Sequence, residues 1–146
     1  MKLTVAWIGK SKDAAIGTLT AEYLKRLQRY VSVEGKELAD ETALPKLTSR
    51  PGRTAPVLVL LDSRGKQLRS EELAQFVRDH RDRGSQDLIF AVGPADGWSE
   101  NGRKQADVLL SLGKMTLPHE LARVVLVEQL YRAFTILAGH PYHGGH

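Results

Sequence analysis

The 146-residue chain contains no cysteine. That excludes disulfides, zinc–thiolate sites and a cysteine nucleophile, and leaves histidine, carboxylates and backbone groups to carry any chemistry. No window approaches the roughly 18 consecutive apolar residues of a membrane span, and residues 1–8 read as a strand with no cleavage site behind them, so a cytoplasmic location is expected. Familiar nucleotide motifs are missing too. Gly9-Lys10-Ser11 resembles the end of a phosphate-binding P-loop, but Thr4 stands where that motif needs its first glycine. No glycines fall at the i, i+2, i+5 spacing of a dinucleotide fingerprint, and no Gly-x-Ser-x-Gly elbow supports a serine hydrolase. His119, His140, His143 and His146 are the histidines that invite a metal reading. The last three lie in a short tail without a helix to fix them or a carboxylate nearby, so no metal is expected.

What is present is the composition of an ordinary globular protein, 42% hydrophobic and 26% charged, which predicts one domain over residues 1–146 with one core. Its charge is uneven. Residues 1–54 hold ten Lys/Arg against six Asp/Glu, and the remainder is balanced. Lys2, Lys10, Lys12, Lys25, Arg26 and Arg29 therefore offer a patch for phosphates, or simply a solvated helix face.

Hydrophobic periodicity gives an alternating series of elements. Residues 2–8 and 31–38 read as strands flanking a helix over 14–30, and residues 39–55, with Pro45, Pro51 and Gly52, read as linker-like. Residues 56–61 are a continuous apolar run, the pattern of a strand buried on both faces, with Asp62-Ser63-Arg64-Gly65 turning out of it. A helix N-capped by Ser70 follows and is stopped by Gly84. Residues 87–92 form another buried strand, broken by Gly93-Pro94-Ala95-Asp96-Gly97. A short helix then runs from a Ser99 cap through Ala106, a strand covers residues 108–112, and a last helix covers residues 118–138 with Gly139 just past its end. The series predicts an α/β fold with a mainly parallel sheet and helices on both faces.

The last helix is apolar almost all round, with a thin polar line at Arg123, Glu128, Gln129 and Arg132. A single domain of this size does not enclose such a helix completely, so part of it is expected to pack on a second copy in a C2 dimer. Four submotifs run through this region: Thr116-Leu117-Pro118-His119, Leu121-Ala122-Arg123-Val124, Glu128-Gln129-Leu130-Tyr131-Arg132-Ala133 and His140-Pro141-Tyr142-His143. In order and spacing they resemble the C-terminal signature of the RlmH family. Residues 1–9, Glu22-Tyr23-Leu24, Leu60-Leu61-Asp62 and Gly93-Pro94 are similar to the family pattern as well. Two departures stand out: residues 39–55 are shorter than is common, and Val92 precedes Gly93 where a double glycine is frequent.

The resemblance implies a SPOUT-class methyltransferase that uses S-adenosylmethionine to methylate N3 of a pseudouridine in 23S ribosomal RNA. It also implies a C-terminal trefoil knot, a homodimer formed through the last helix, and the ribosome as partner. The cofactor pocket would be built from Leu61, Gly93, Gly113, Lys114, Met115, Thr116, Leu117 and Pro118, all in loops at strand C-termini, where open α/β sheets bind ligands. His140, Tyr142 and His143 are the candidates for accepting or orienting the N3 proton, or for closing over substrate. Arg123 and Arg132 are candidates for meeting a phosphate or carboxylate. Two alternatives remain: a non-catalytic RNA- or ribosome-binding module on the same scaffold, and a SPOUT methyltransferase acting on another RNA.

Overall fold

A computed structural model describes residues 1–84 and 87–143, His143 by its backbone only; His146 lies outside the described residues. Five strands make one parallel sheet in the order β2-β1-β4-β3-β5: β1 Lys2–Ile8, β2 Ser32–Leu38, β3 Val57–Gln67, β4 Leu88–Val92 and β5 Val108–Ser111. The helices are α1 Ala14–Leu27, α2 Leu44–Thr48, α3 Ser70–Asp82, α4 Glu100–Gln105 and α5 His119–Ala138. The expected architecture is therefore present.

Strand side chains alternate between two apolar faces, which is why the strands read as unbroken hydrophobic runs. Leu88, Phe90 and Val92 of β4 join Val59, Leu126, Leu130 and Phe134 on one face, under α1, α3 and α5. Ile89 and Ala91 point the other way, to Leu44 and Leu47 of α2 and to Trp98.

Three local expectations are corrected. Residues 39–55 are not simply linker: Asp40 accepts from the Thr42 N–H to start a 3-10 turn, and α2 follows because Leu44 and Leu47, one turn apart, are both buried in the second face. Ser70 does not cap α3. Arg69 holds that position, its N–H donating to the Glu72 carboxylate at 2.8 Å, and the Ser70 hydroxyl instead donates to Gln129 Oε1 at 2.6 Å, tying α3 to α5. Helix α1 ends at Leu27 rather than residue 30, because Gln28 Nε2 turns to the Val33 carbonyl as the chain enters β2.

A fourth difference matters most for the site. Asp62-Ser63-Arg64-Gly65 does form a turn, with Asp62 Oδ1 accepting from the Arg64 N–H at 2.8 Å. Yet the chain stays in the sheet. Leu61 pairs with Leu110, four residues bulge out, and Lys66 pairs with Leu110 again before Gln67 pairs with Ser111. Gly65 crosses the β5 backbone here. A Cβ on it would lie 2.5 Å from the Leu109 carbonyl carbon and from the Leu110 nitrogen, far inside van der Waals contact with atoms that cannot rotate away. Gly65→Ala is accordingly expected to destabilise the fold by about 3 kcal/mol, whereas Ser63→Ala on the exposed bulge stays within about 0.5 kcal/mol. Urea unfolding of the two variants checks this.

Candidate active site

A cavity of about 540 Å³ opens at the C-terminal ends of β3, β4 and β5. Three segments frame it: Leu61 to Ser63 with Gln67, then Val92 to Gly97, then Leu110 to Leu117, and the start of α5 closes one side through His119 and Ala122. Of the expected cofactor residues, Leu61, Gly93, Gly113, Lys114, Met115, Thr116 and Leu117 all line it. Pro118 is absent from the lining; it takes the N-cap position of α5.

Two interactions fix the frame. The Trp98 indole N–H donates to the Leu61 carbonyl at 3.0 Å, and the same ring lies against Gly93, where a Cβ would sit 3.0 Å from Cε2 and Nε1. Asp62, whose side chain is 4% exposed, accepts from Arg103 Nε at 2.7 Å, and Arg103 also holds Glu100 at 2.8 Å. Burial works to raise the Asp62 carboxyl, but the Arg64 N–H and the Arg103 guanidinium outweigh it and hold the group below its ordinary range. The wall therefore carries a neutralised ion pair rather than a bare charge.

The tail lies elsewhere. Helix α5 runs roughly 28 Å, at about 1.5 Å per helical residue, from His119 at the cavity to Ala138, where the tail begins. Tyr142 folds back on the end of α5, its ring 4.7 Å from that of Tyr131 and its hydroxyl donating to Glu128 Oε2 at 2.8 Å. Burial first, then hydrogen bonds with Tyr23 and Glu128, raise its phenol well above the usual value, so it stays protonated at neutral pH. Exposed His140 accepts the Tyr142 backbone N–H at Nδ1, 3.2 Å away. The His143 side chain lies outside the described residues. Arg132 pairs with Glu128 at 2.8 Å and stacks over Tyr142.

Arg123 is not on an exposed polar line. It is 2% exposed, stacked over Trp7 at 4.5 Å, with Nη2 donating to Ser11 Oγ at 2.6 Å and 3.7 Å from Glu120; Nε is buried without a partner among the described residues. Burial pulls its pKa down, partly offset by Glu120 and Glu37. Glu120 in turn accepts the Lys12 backbone N–H at 2.8 Å. Together these contacts tie the β1–α1 loop to the first turns of α5.

A family model described as "predicted SPOUT methyltransferase" matches residues 1–143. Ribosomal RNA large subunit methyltransferase H of Koribacter versatilis (strain Ellin345) is 70% identical over 146 residues, covering all of both chains. The chain belongs to the RlmH family of SPOUT methyltransferases. Among solved structures it resembles a Bordetella pertussis Tohama I protein described as "probable methyltransferase", with TM-score 0.63, 10% identity and coverage of 90% of this chain and 93% of that one. It also resembles a Legionella pneumophila protein solved with bound cofactor SAM, with TM-score 0.51, 13% identity and coverage of 91% and 66%. At such identities these two show the fold alone.

For this RlmH-family chain, sequence reasoning passed over Asp62, Arg103 and Trp98 as parts of the site. The single available signal was position: Asp62 ends the Leu60-Leu61-Asp62 motif, and Trp98 directly follows the glycine-bearing loop. Nothing in the sequence pairs Asp62 with Arg103, 41 residues on. Because the folded Asp62 carboxyl lies below its ordinary value near 3.8, the pair's stabilisation is complete above that pH and fades as the pH falls through the folded value. Arg103→Ala should unfold at lower urea than the parent at pH 7, with the gap closing toward pH 3. An equal gap at both pH values would contradict the pairing.

Proposed function

We propose that this enzyme transfers a methyl group from S-adenosylmethionine to N3 of a pseudouridine in 23S ribosomal RNA, working in the cytoplasm as a homodimer. The observation that carries the reading is the cavity itself. All but one of the residues implied for the cofactor line a single opening whose volume lies within the roughly 300–1,000 Å³ of small-molecule sites. Its walls fit the group: Leu61, Val92, Leu112 and Leu117 offer aliphatic surface, and Lys114 and Asp96 offer opposite charges at the rim for a ligand with a carboxylate and an ammonium. When bound, S-adenosylmethionine supplies an electrophilic methyl. The chain's own task is to hold it, orient the imide in line with it, exclude water and accept or release the N3 proton.

The tail starts at the far end of α5, about 28 Å along the helix from His119, and Tyr142 folds back only as far as Glu128, which supports a site made by two copies. Met115, Leu117 and Leu121 are exposed apolar residues beside the cavity, at the N-terminal end of α5, and they suit the surface of a second subunit. A two-fold axis crossing α5 near its middle runs the two helices antiparallel and brings each tail to the other's cavity. Within that arrangement His140 and His143 are the candidates to handle the proton. Tyr142, protonated and bonded to Glu128, anchors the tail, with Arg132 across its ring. Arg123 acts as a strut for the β1–α1 loop, presenting Lys10 and Lys12 to RNA phosphates, rather than as a phosphate ligand itself. The family's trefoil knot belongs to the same proposal. Support for it is the double pairing of residues 61 and 66 with Leu110, between which residues 62–65 bulge and cross the strand that leads into residues 111–118.

Methyl-labelled S-adenosylmethionine, the purified protein and ribosomes should yield label on N3 of a pseudouridine, located by mass spectrometry of nuclease fragments. Label on another base would replace the substrate, and RNA binding without cofactor binding would favour the non-catalytic module. The shared site has its own test. A chain ending at Gly139 and a Thr116→Trp chain with a filled cavity should each be inactive, and their mixed dimer should recover about half the parent's rate per dimer. No recovery in isolated mixed dimers would place tail and cavity in one subunit.

A further inference from the structure

Trp98 is 3% exposed and is not itself part of the cavity lining, yet it touches two of the three segments that frame the cavity. Its indole N–H is committed to the Leu61 carbonyl at 3.0 Å, at the point where β3 enters its bulge, and its ring floor lies under Gly93 at the end of β4. One rigid side chain therefore sets the spacing between the Leu61 loop and the Gly93 loop. The indole is held from behind as well. Ser99, the next residue, directs its backbone N–H to Glu41 Oε1 at 3.0 Å and its hydroxyl to Glu41 Oε2, and it caps α4 through the Gly102 N–H at 3.1 Å. Glu41 stands in the 3-10 turn before α2, in the stretch that reads as linker. The contacts run from Glu41 through Ser99 to Trp98 and on to both loops.

We infer that Trp98 is a positioning residue for the cofactor cavity: its N–H bond to the Leu61 carbonyl and its contact with Gly93 hold two of the loops at the spacing that binds S-adenosylmethionine. This rests on the reading that the cavity is the cofactor site. The residue does not reach the reacting atoms, so its effect belongs on cofactor affinity and not on the chemical step. A Trp98 that merely filled core would, when trimmed, lower stability without singling out one substrate. Losing the N–H frees the Leu61 carbonyl and lets the two loops separate, so that cofactor binding has to restore their order.

Trp98→Phe keeps an aromatic ring in the second core face and removes the donor. Titration calorimetry with S-adenosylmethionine, and initial rates varying cofactor and ribosomes separately, read the result. The expected outcome is a Kd and KM for S-adenosylmethionine about tenfold higher, with kcat at saturating cofactor within about twofold of the parent and KM for ribosomes unchanged. Parent-like cofactor affinity, or a loss appearing in kcat or ribosome KM instead, overturns the inference. If Trp98→Phe does not fold, Ser99→Ala decides, since it loosens the indole's support without touching the core. Cofactor affinity about threefold weaker sustains the inference, and unchanged affinity overturns it. Failure of the parent protein itself to bind S-adenosylmethionine would instead remove the reading of the cavity, separating the two claims.

Discussion

The close approach of Gly65 to the backbone of Leu109 and Leu110 is the constraint on which the site depends. It lets β3 pair with β5, bulge away for four residues and pair with it again, so that Leu110 serves two partners on the same neighbouring strand. The bulge delivers Leu61 and Asp62 to the cavity and returns the chain to Ser111. From there residues 112–117 complete the rim and α5 begins. A side chain at position 65 would push apart the segments that must lie closest, so steric necessity at one residue sets the shape of the pocket at several others.

Around that crossing, polar contacts divide the work with apolar packing. The two-faced sheet is held by Leu, Ile, Val and Phe, whose burial is non-directional and tolerates small shifts. A ligand pocket needs tighter tolerances, and here they come from directional contacts: Trp98 to Leu61, Asp62 to Arg103, and Ser11 and Lys12 to the first turns of α5 through Arg123 and Glu120. Helix α5 then acts as a rigid spacer. It sets the cavity at one end and the start of the tail at the other, with Tyr142 folded back to Glu128 between them.

The parallel sheet, its order of helices and strands, and the three pocket loops were legible because each rests on a local signal. Buried strands read as continuous apolar runs, α5 reads as a long apolar stretch between Pro118 and Gly139, and the loops fall where strands end. Pairing across the chain was not legible. The bulge at 62–65 reads as an ordinary exit turn, since Asp-Ser-Arg-Gly has the same turn chemistry whether the chain leaves the sheet or rejoins it. Residues 39–55 read as linker because two prolines and a glycine mask the Leu44/Leu47 pair that anchors α2. Arg123 reads as a surface cation because charge pattern gives no hint that Trp7 and Ser11, more than a hundred residues earlier, will cover it. The resemblance to the RlmH family supplied the pocket residues, but not the supports behind them.

The central claim is that the three loops joined by the Gly65 crossing form the cofactor pocket of this methyltransferase. Backbone hydrogen exchange with and without S-adenosylmethionine tests it most directly. Slowed exchange confined to residues 61–67, 92–97 and 111–118 is the predicted result, because those amides frame the cavity and bracket the crossing. Protection centred instead on the β1–α1 loop, with these three segments unchanged, would contradict it.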